Sequence, residues 1–140
     1  MTSANLDLVR SIFAAWARGD FFSSSEWAAP EIEWVIADGP DPGTWKGLTA
    51  TEVELRNQLD AWDVYRVEAE EFREIDDERV LVLTRNSGRA RTSRVEIEQT
   101  KRAWLLHIRG GKVMRLVYYH DRERAFADLD LASDVDSPRS

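Results

Sequence analysis

The sequence predicts an α+β domain: a cone-shaped, curved antiparallel sheet wrapped by three N-terminal helices. Three observations lead there. Apolar residues fall at helical spacing early in the chain and alternate at strand spacing late in it. The predicted order is α, α, β, α, β, β, β, β, with helices early and long strands late, which favours α+β over a parallel sheet. The 140 residues, 43% of them apolar, suffice for one core.

The elements follow in order. Leu6, Val9, Ile12, Phe13 and Trp16 mark one face of a first helix, with Asn5 to cap it and Gly19 to end it. A short second helix is expected after Asp20, carrying Phe21, Phe22 and Trp27 and stopped by Pro30. EIEWVIAD then alternates, with Ile32, Trp34, Ile36 and Asp38 on one face. GPDPGTWKG reads as a turn-rich loop. A capping box, Thr49 with Glu52, opens a third helix from Ala50 to Leu59.

Four strands come next: Val64 to Ile75, Arg79 to Asn86, Val95 to Arg109 and Val113 to His120. Turns at Asp76–Asp77 and Gly110–Gly111 separate them, the latter a tight hairpin turn. A final helix covers Arg122 to Leu129, with Asp121 placed to cap it. One domain spans residues 1–131; the small polar residues 132–140 are expected to be disordered.

Composition narrows the function. The net charge of −7 argues against nucleic acid and anionic membrane as partners. The basic stretch Arg85 to Arg94 reads as a solvated hairpin. There is no cysteine, no cluster with metal-ligand spacing and no nucleotide-binding motif, so neither metal nor cofactor is expected. No apolar run is long enough to span a membrane and nothing reads as a signal peptide, so a cytoplasmic location is expected. Six tryptophans point to a generous core, a lined pocket or an apolar interface.

ARGDFFSSSEWAAPEIEWV, the loop GPDPGTWKG before a helix, and the ending HIRGGKVMRLVYYHDRERAF together resemble SnoaL-like proteins over Leu6 to Leu131. These belong to the nuclear-transport-factor-two-like superfamily of cone-shaped domains, many of them homodimers through the sheet face. The superfamily contains polyketide cyclases, ketosteroid isomerases, epoxide hydrolases, dehydratases and non-enzymatic binders, so the resemblance implies a fold and leaves the chemistry to individual residues. Asp38 matches the base of the isomerases, whereas their helix tyrosine falls on Ile12 and their protonated acid near Ala103 or Trp104. The catalytic aspartate of the cyclases and limonene-type epoxide hydrolases falls on Tyr118. The hydrolases' Arg-x-Asp falls on Thr84 and Asn86.

Alternation puts Met114, Leu116, Tyr118 and His120 on the cavity side of the last strand, with Val117, Tyr119 and Asp121 opposite. His120 and Asp121 are therefore not expected to form a pair. His107 reads as an exposed strand residue, and Glu96 and Glu98, alternating with Val95 and Ile97, as solvated or interfacial.

Two functions stay open. In one, the protein holds a small, mostly apolar, ring-containing molecule in a pocket built from Trp16, Trp34, Ile36, Thr84, Asn86, Trp104, Leu116 and Tyr118. In the other it is a cofactor-independent isomerase, cyclase or dehydratase, with Asp38 as base and His120 as acid. That second reading requires both side chains to converge on one pocket.

Overall fold

The computed structural model describes residues 3–22 and 25–131. The tail expected to be disordered lies outside these. The elements are α1 (Ala4–Ala17), β1 (Ala28–Ile36), β2 (Gly43–Lys46), α2 (Leu48–Leu59), β3 (Trp62–Glu74), β4 (Arg79–Ala90), β5 (Glu96–Arg109), β6 (Lys112–Tyr119) and α3 (Arg122–Asp128). The strands form one curved, open sheet in the order β2-β1-β6-β5-β4-β3. The sheet is mixed rather than antiparallel, because β1 and β6 run parallel at its centre.

Three helices are present, but only α1 is N-terminal. α1 starts on Ser3, not Asn5: the Ser3 hydroxyl accepts from the Leu6 N–H at 3.0 Å and donates to Glu74 at 2.7 Å. Asn5 instead donates to the Asp77 carbonyl across the β3–β4 turn. Gly19 ends the helix with a φ of 79°, as its position suggested.

The short second helix does not form among the described residues; residues 21–22 form a bend and residues 26–27 a turn. Phe21 and Trp27 are drawn onto Trp16, and that packing outweighs the local helix signals. Pro30 lies inside β1, in the stretch where the β1–β6 register shifts and the missing N–H breaks no regular ladder. The expected loop contains β2, and Trp45 there stacks against Trp34 at 5.4 Å.

The Thr49–Glu52 capping box is not used. α2 begins earlier, at Gly47, whose φ of 91° suits glycine and whose N–H donates to the Ile32 carbonyl. Asp121 does cap α3, accepting from the Glu123 N–H at 2.9 Å.

The sheet separates two cores. The inner one joins Val9, Ile12, Phe13 and Trp16 of α1 to the inward residues of β1 and β3–β6. The outer one places Ala125 and Phe126 of α3 on Leu81, Leu83, Leu105, Val117 and Tyr119. Part of the face expected to pair two copies is therefore covered by the chain's own helix.

Bulges set which residues face inward. Glu70 is the extra residue of β3 between the pairs Ala69–Thr84 and Glu71–Leu83. It turns Phe72, rather than Glu71, into the inner core. On β5, Thr100 and Lys101 occupy the span opposite Arg85, with Lys101 at a φ of 59°. On β6 the extra residue is Met114, so Val113 takes the inward place expected of Met114.

One side chain closes the gap that these bulges leave. Arg122, only 5% exposed, donates to the Thr84 carbonyl at 3.0 Å, to the Arg102 carbonyl at 3.2 Å and to the Glu70 carboxylate at 2.7 Å. Replacing it by leucine leaves two buried carbonyls without donors and should cost about 3 kcal/mol in urea unfolding. Glu70→Gln acts on a half-exposed partner and should cost less than about 1 kcal/mol. Equal losses would refute this division.

Burial, reinforced by the Asp128 carboxylate to which Tyr119 donates, raises the Tyr119 phenol from 10.0 to about 12. The protonated phenol is favoured in the fold, so its stabilisation is intact below pH 10 and lost as the pH rises towards 12. Tyr119→Phe should move alkaline unfolding, followed by circular dichroism, to higher pH.

Candidate functional site, an aromatic cavity with a polar back wall

Between the inner sheet face, α1, α2 and the α1–β1 connection lies a cavity of about 190 Å³. Of the residues expected to line it, Trp16, Trp34, Ile36, Trp104, Leu116 and Tyr118 do so, together with His120. Rings follow one another along the wall: Trp16 to Trp104 at 5.0 Å, Trp104 to Tyr118 at 4.4 Å, Tyr118 to His120 at 4.8 Å. Such spacings are those of favourable edge and offset aromatic contacts.

The sequence reading missed much of the opposite side. Trp62 and Tyr65 of β3 stack at 4.9 Å and both line the cavity. Gly88 makes that possible, because a β-carbon there would stand 2.6 Å from the Trp62 ring. Tyr65 was within reach of inspection, since it alternates with Val67. Gln99 was not, because it faces the cavity only by virtue of the β5 bulge. α2 contributes Thr51, Glu52 and Leu55, a helical face that single-residue inspection did not connect to the site.

Thr84 and Asn86 are not on the wall; they are fully buried behind it. The Thr84 hydroxyl donates to Asn86 Oδ1 at 3.2 Å. Asn86 Nδ2 donates to the Tyr65 hydroxyl at 2.9 Å and to the Tyr118 hydroxyl at 3.0 Å. Tyr65 in turn donates to Gln99 at 2.8 Å. The result is a polar layer that fixes two phenols of the wall.

Burial raises the pKa of both phenols, so both are protonated at neutral pH. For Tyr118 the Arg102 guanidinium beside it works in the opposite direction.

Asp38 lies at the end of β6 rather than on the cavity wall. Its carboxylate accepts from the His120 N–H at 2.7 Å and from the Asp121 N–H at 3.1 Å. Both oxygens are thus engaged in holding the exit of the last strand. The same carboxylate is 3.5 Å from His120 Nδ1, a nitrogen that is buried and makes no hydrogen bond. Gly39 presses the imidazole from behind, with room for no β-carbon: one would lie 2.6 Å from Nδ1. The required convergence is therefore partial. Asp38 and His120 meet each other, while only His120 reaches the cavity. Asp121 faces away and caps α3.

The site can enclose a ring, stack on it, and offer a few fixed polar groups. The indole N–H groups of Trp34 and Trp104 and the Thr51 hydroxyl, all on residues of the wall, find no hydrogen-bond partner among the described residues. Among these residues no His, Asp or Glu group is arranged to hold a metal ion, and no helix is long and apolar enough to cross a membrane.

Asp38→Asn removes one of the two acceptors at the strand exit. It should lower stability by about 1–2 kcal/mol. It should also speed hydrogen exchange at the His120 and Asp121 amides selectively. Unchanged exchange there would remove the clamp role.

No protein-family model matches the sequence, and no curated protein matches it. Solved structures do resemble it. A nuclear-transport-factor-two-like protein of unknown function from Burkholderia pseudomallei aligns with a TM-score of 0.73 at 21% identity, over 90% of this chain and 97% of that one. TerC, co-crystallised with polyporic acid, aligns with a TM-score of 0.71 at 21% identity, over 91% and 98%. A protein from Jannaschia placed among the SnoaL-like polyketide cyclases aligns with a TM-score of 0.72 at 13% identity, over 93% and 94%. The architecture of this chain is the nuclear-transport-factor-two-like fold in its SnoaL-like form.

Proposed function

We propose that this SnoaL-like protein binds a small, mostly apolar, ring-containing molecule in the aromatic cavity. The observation that carries the reading is the wall itself: consecutive rings from Trp16 to His120 on one side and Trp62 with Tyr65 on the other, around about 190 Å³. A fold that only needed a core would close such a space, because empty volume in a core costs stability. TerC, of the same fold, was crystallised with a small molecule. The reading extends to a cytoplasmic homodimer, joined through the groove beside α3 between Val35, Leu105 and Arg115. Analytical ultracentrifugation tests that part.

A second reading, proton-transfer catalysis as an isomerase, cyclase or dehydratase, is favoured by His120, an imidazole of the wall whose Nδ1 stands 3.5 Å from the Asp38 carboxylate. In it His120 exchanges the proton and Asp38 is the positioning residue, since both Asp38 oxygens already accept backbone N–H groups.

A thermal-shift screen of ring ketones, aromatic carboxylates and lactones tests the binding reading. A ligand at a hundred times its Kd should stabilise the fold by about 2.7 kcal/mol and raise Tm by several degrees. Leu55→Trp, which fills the cavity from the partly exposed α2, should abolish the shift while leaving the ligand-free Tm close to wild type. A shift that survives Leu55→Trp would place binding elsewhere.

A further inference from the structure

Charge is distributed unevenly round the cavity. Nine phenylalanine, tyrosine and tryptophan side chains line it, whereas no lysine or arginine among the described residues does. Glu52 of α2 is the one carboxylate in that wall. Aromatic rings carry negative charge on their faces and attract cations there. Rings and a carboxylate together favour a positive ligand over a negative one.

No structural role accounts for Glu52. It is half-buried, yet it forms no hydrogen bond and no ion pair among the described residues. It lies beyond the first turn of α2, so the helix dipole does not explain it, and the helix is capped by Gly47 without any side-chain bond. Arg56 stands four residues further on, where a helix ordinarily pairs an arginine with such a glutamate. Here Arg56 lies instead over the ring of Phe22, 3.9 Å from its centroid. Glu54, on the same helix, does have a partner: it accepts from Gln58 at 2.8 Å. A carboxylate partly withdrawn from water without a partner is unfavourable. A cation in the cavity would supply the partner. His120, the basic side chain of the wall, already has the Asp38 carboxylate 3.5 Å from its Nδ1.

We propose that the cavity takes a ring-bearing organic cation, an amine or ammonium on a small cyclic body, with Glu52 as its counter-ion and aromatic rings around the charge. The inference rests on the binding reading above and names the class of ligand. The net charge of −7 draws the same class towards the protein.

Three probes of one shape and different charge test it: 4-nitrobenzylamine, 4-nitrobenzyl alcohol and 4-nitrobenzoate. Each is titrated into the full chain by calorimetry at neutral pH. The amine should bind about tenfold more tightly than the alcohol, and the benzoate more weakly than either. Glu52→Gln should erase the advantage of the amine and leave alcohol binding unchanged. It leaves most of the net charge in place, so that loss would be specific to the site. Glu52→Lys, with folding checked by its Tm, should turn the preference towards the benzoate. Equal binding of amine and alcohol to the wild type, or a preference for the benzoate, would overturn the cation assignment and leave the cavity reading standing. An amine preference that survives Glu52→Gln would overturn Glu52 as the counter-ion. Binding of none of the three would overturn both the cation assignment and the cavity reading.

Discussion

The architecture depends on one guanidinium. Bulges in β3 and β5 interrupt the ladders on either side of Thr84, and an interrupted ladder leaves backbone carbonyls to be satisfied by other means. Arg122 supplies the donors from the first turn of α3. A cation at a helix N-terminus works against the helix dipole; Asp121 and Glu123 beside it offset this. With the carbonyls satisfied, the sheet can bend where the bulges lie. With the sheet bent, Phe72 and Gln99 face inward and α1 has a concave surface to pack on. The buried charge is thus tied to sheet shape more than to stability as such.

The cavity shows a division of labour between its wall and the layer behind. The wall is aromatic and supplies apolar area and stacking surface. The layer behind is polar and fully buried, and its groups satisfy one another in a chain from Thr84 through Asn86 to the two phenols and Gln99. Buried polar networks are worth keeping only when satisfied.

Strands and helices with clean periodicity were legible in the sequence. β1 and the second half of β6, from Leu116, showed their inward residues by alternation alone, whereas the bulge at Met114 shifted the start of β6; Asp121 announced itself as a cap. What failed had identifiable causes. Asn5, Thr49 and Asp20 are good caps locally, but Ser3 and Gly47 bond to the distant strands β3 and β1, and Phe21 packs onto Trp16 of α1, tertiary contacts that local reasoning does not include. The parallel pairing of β1 with β6 leaves no local mark. Of the site, Trp16, Trp34, Trp104 and Tyr118 could be read, because large side chains on inward positions have few destinations, while Trp62 and Tyr65 were missed. The α2 face and Gln99 could not, since one needs the helix orientation and the other a one-residue shift of phase. The catalytic reading required Asp38 and His120 to converge on one pocket; the two do meet, but the Asp38 carboxylate is committed to the backbone amides of the strand exit and does not line the cavity.

The central parallel pair has a consequence for the order in which the molecule can assemble. β3, β4 and β5 are joined to their neighbours by short turns and can zip up as a meander from local contacts. β1 has only the short β2 as an antiparallel neighbour until β6 arrives, and the Asp38 clamp on His120 and Asp121 closes a loop of 82 to 83 residues. Closing so long a loop is entropically slow compared with forming hairpins. The apolar Trp34 and Ile36 must therefore wait, partly uncovered, for the last strand. During synthesis from the ribosome, this chain completes its cavity last and carries its stickiest edge until then.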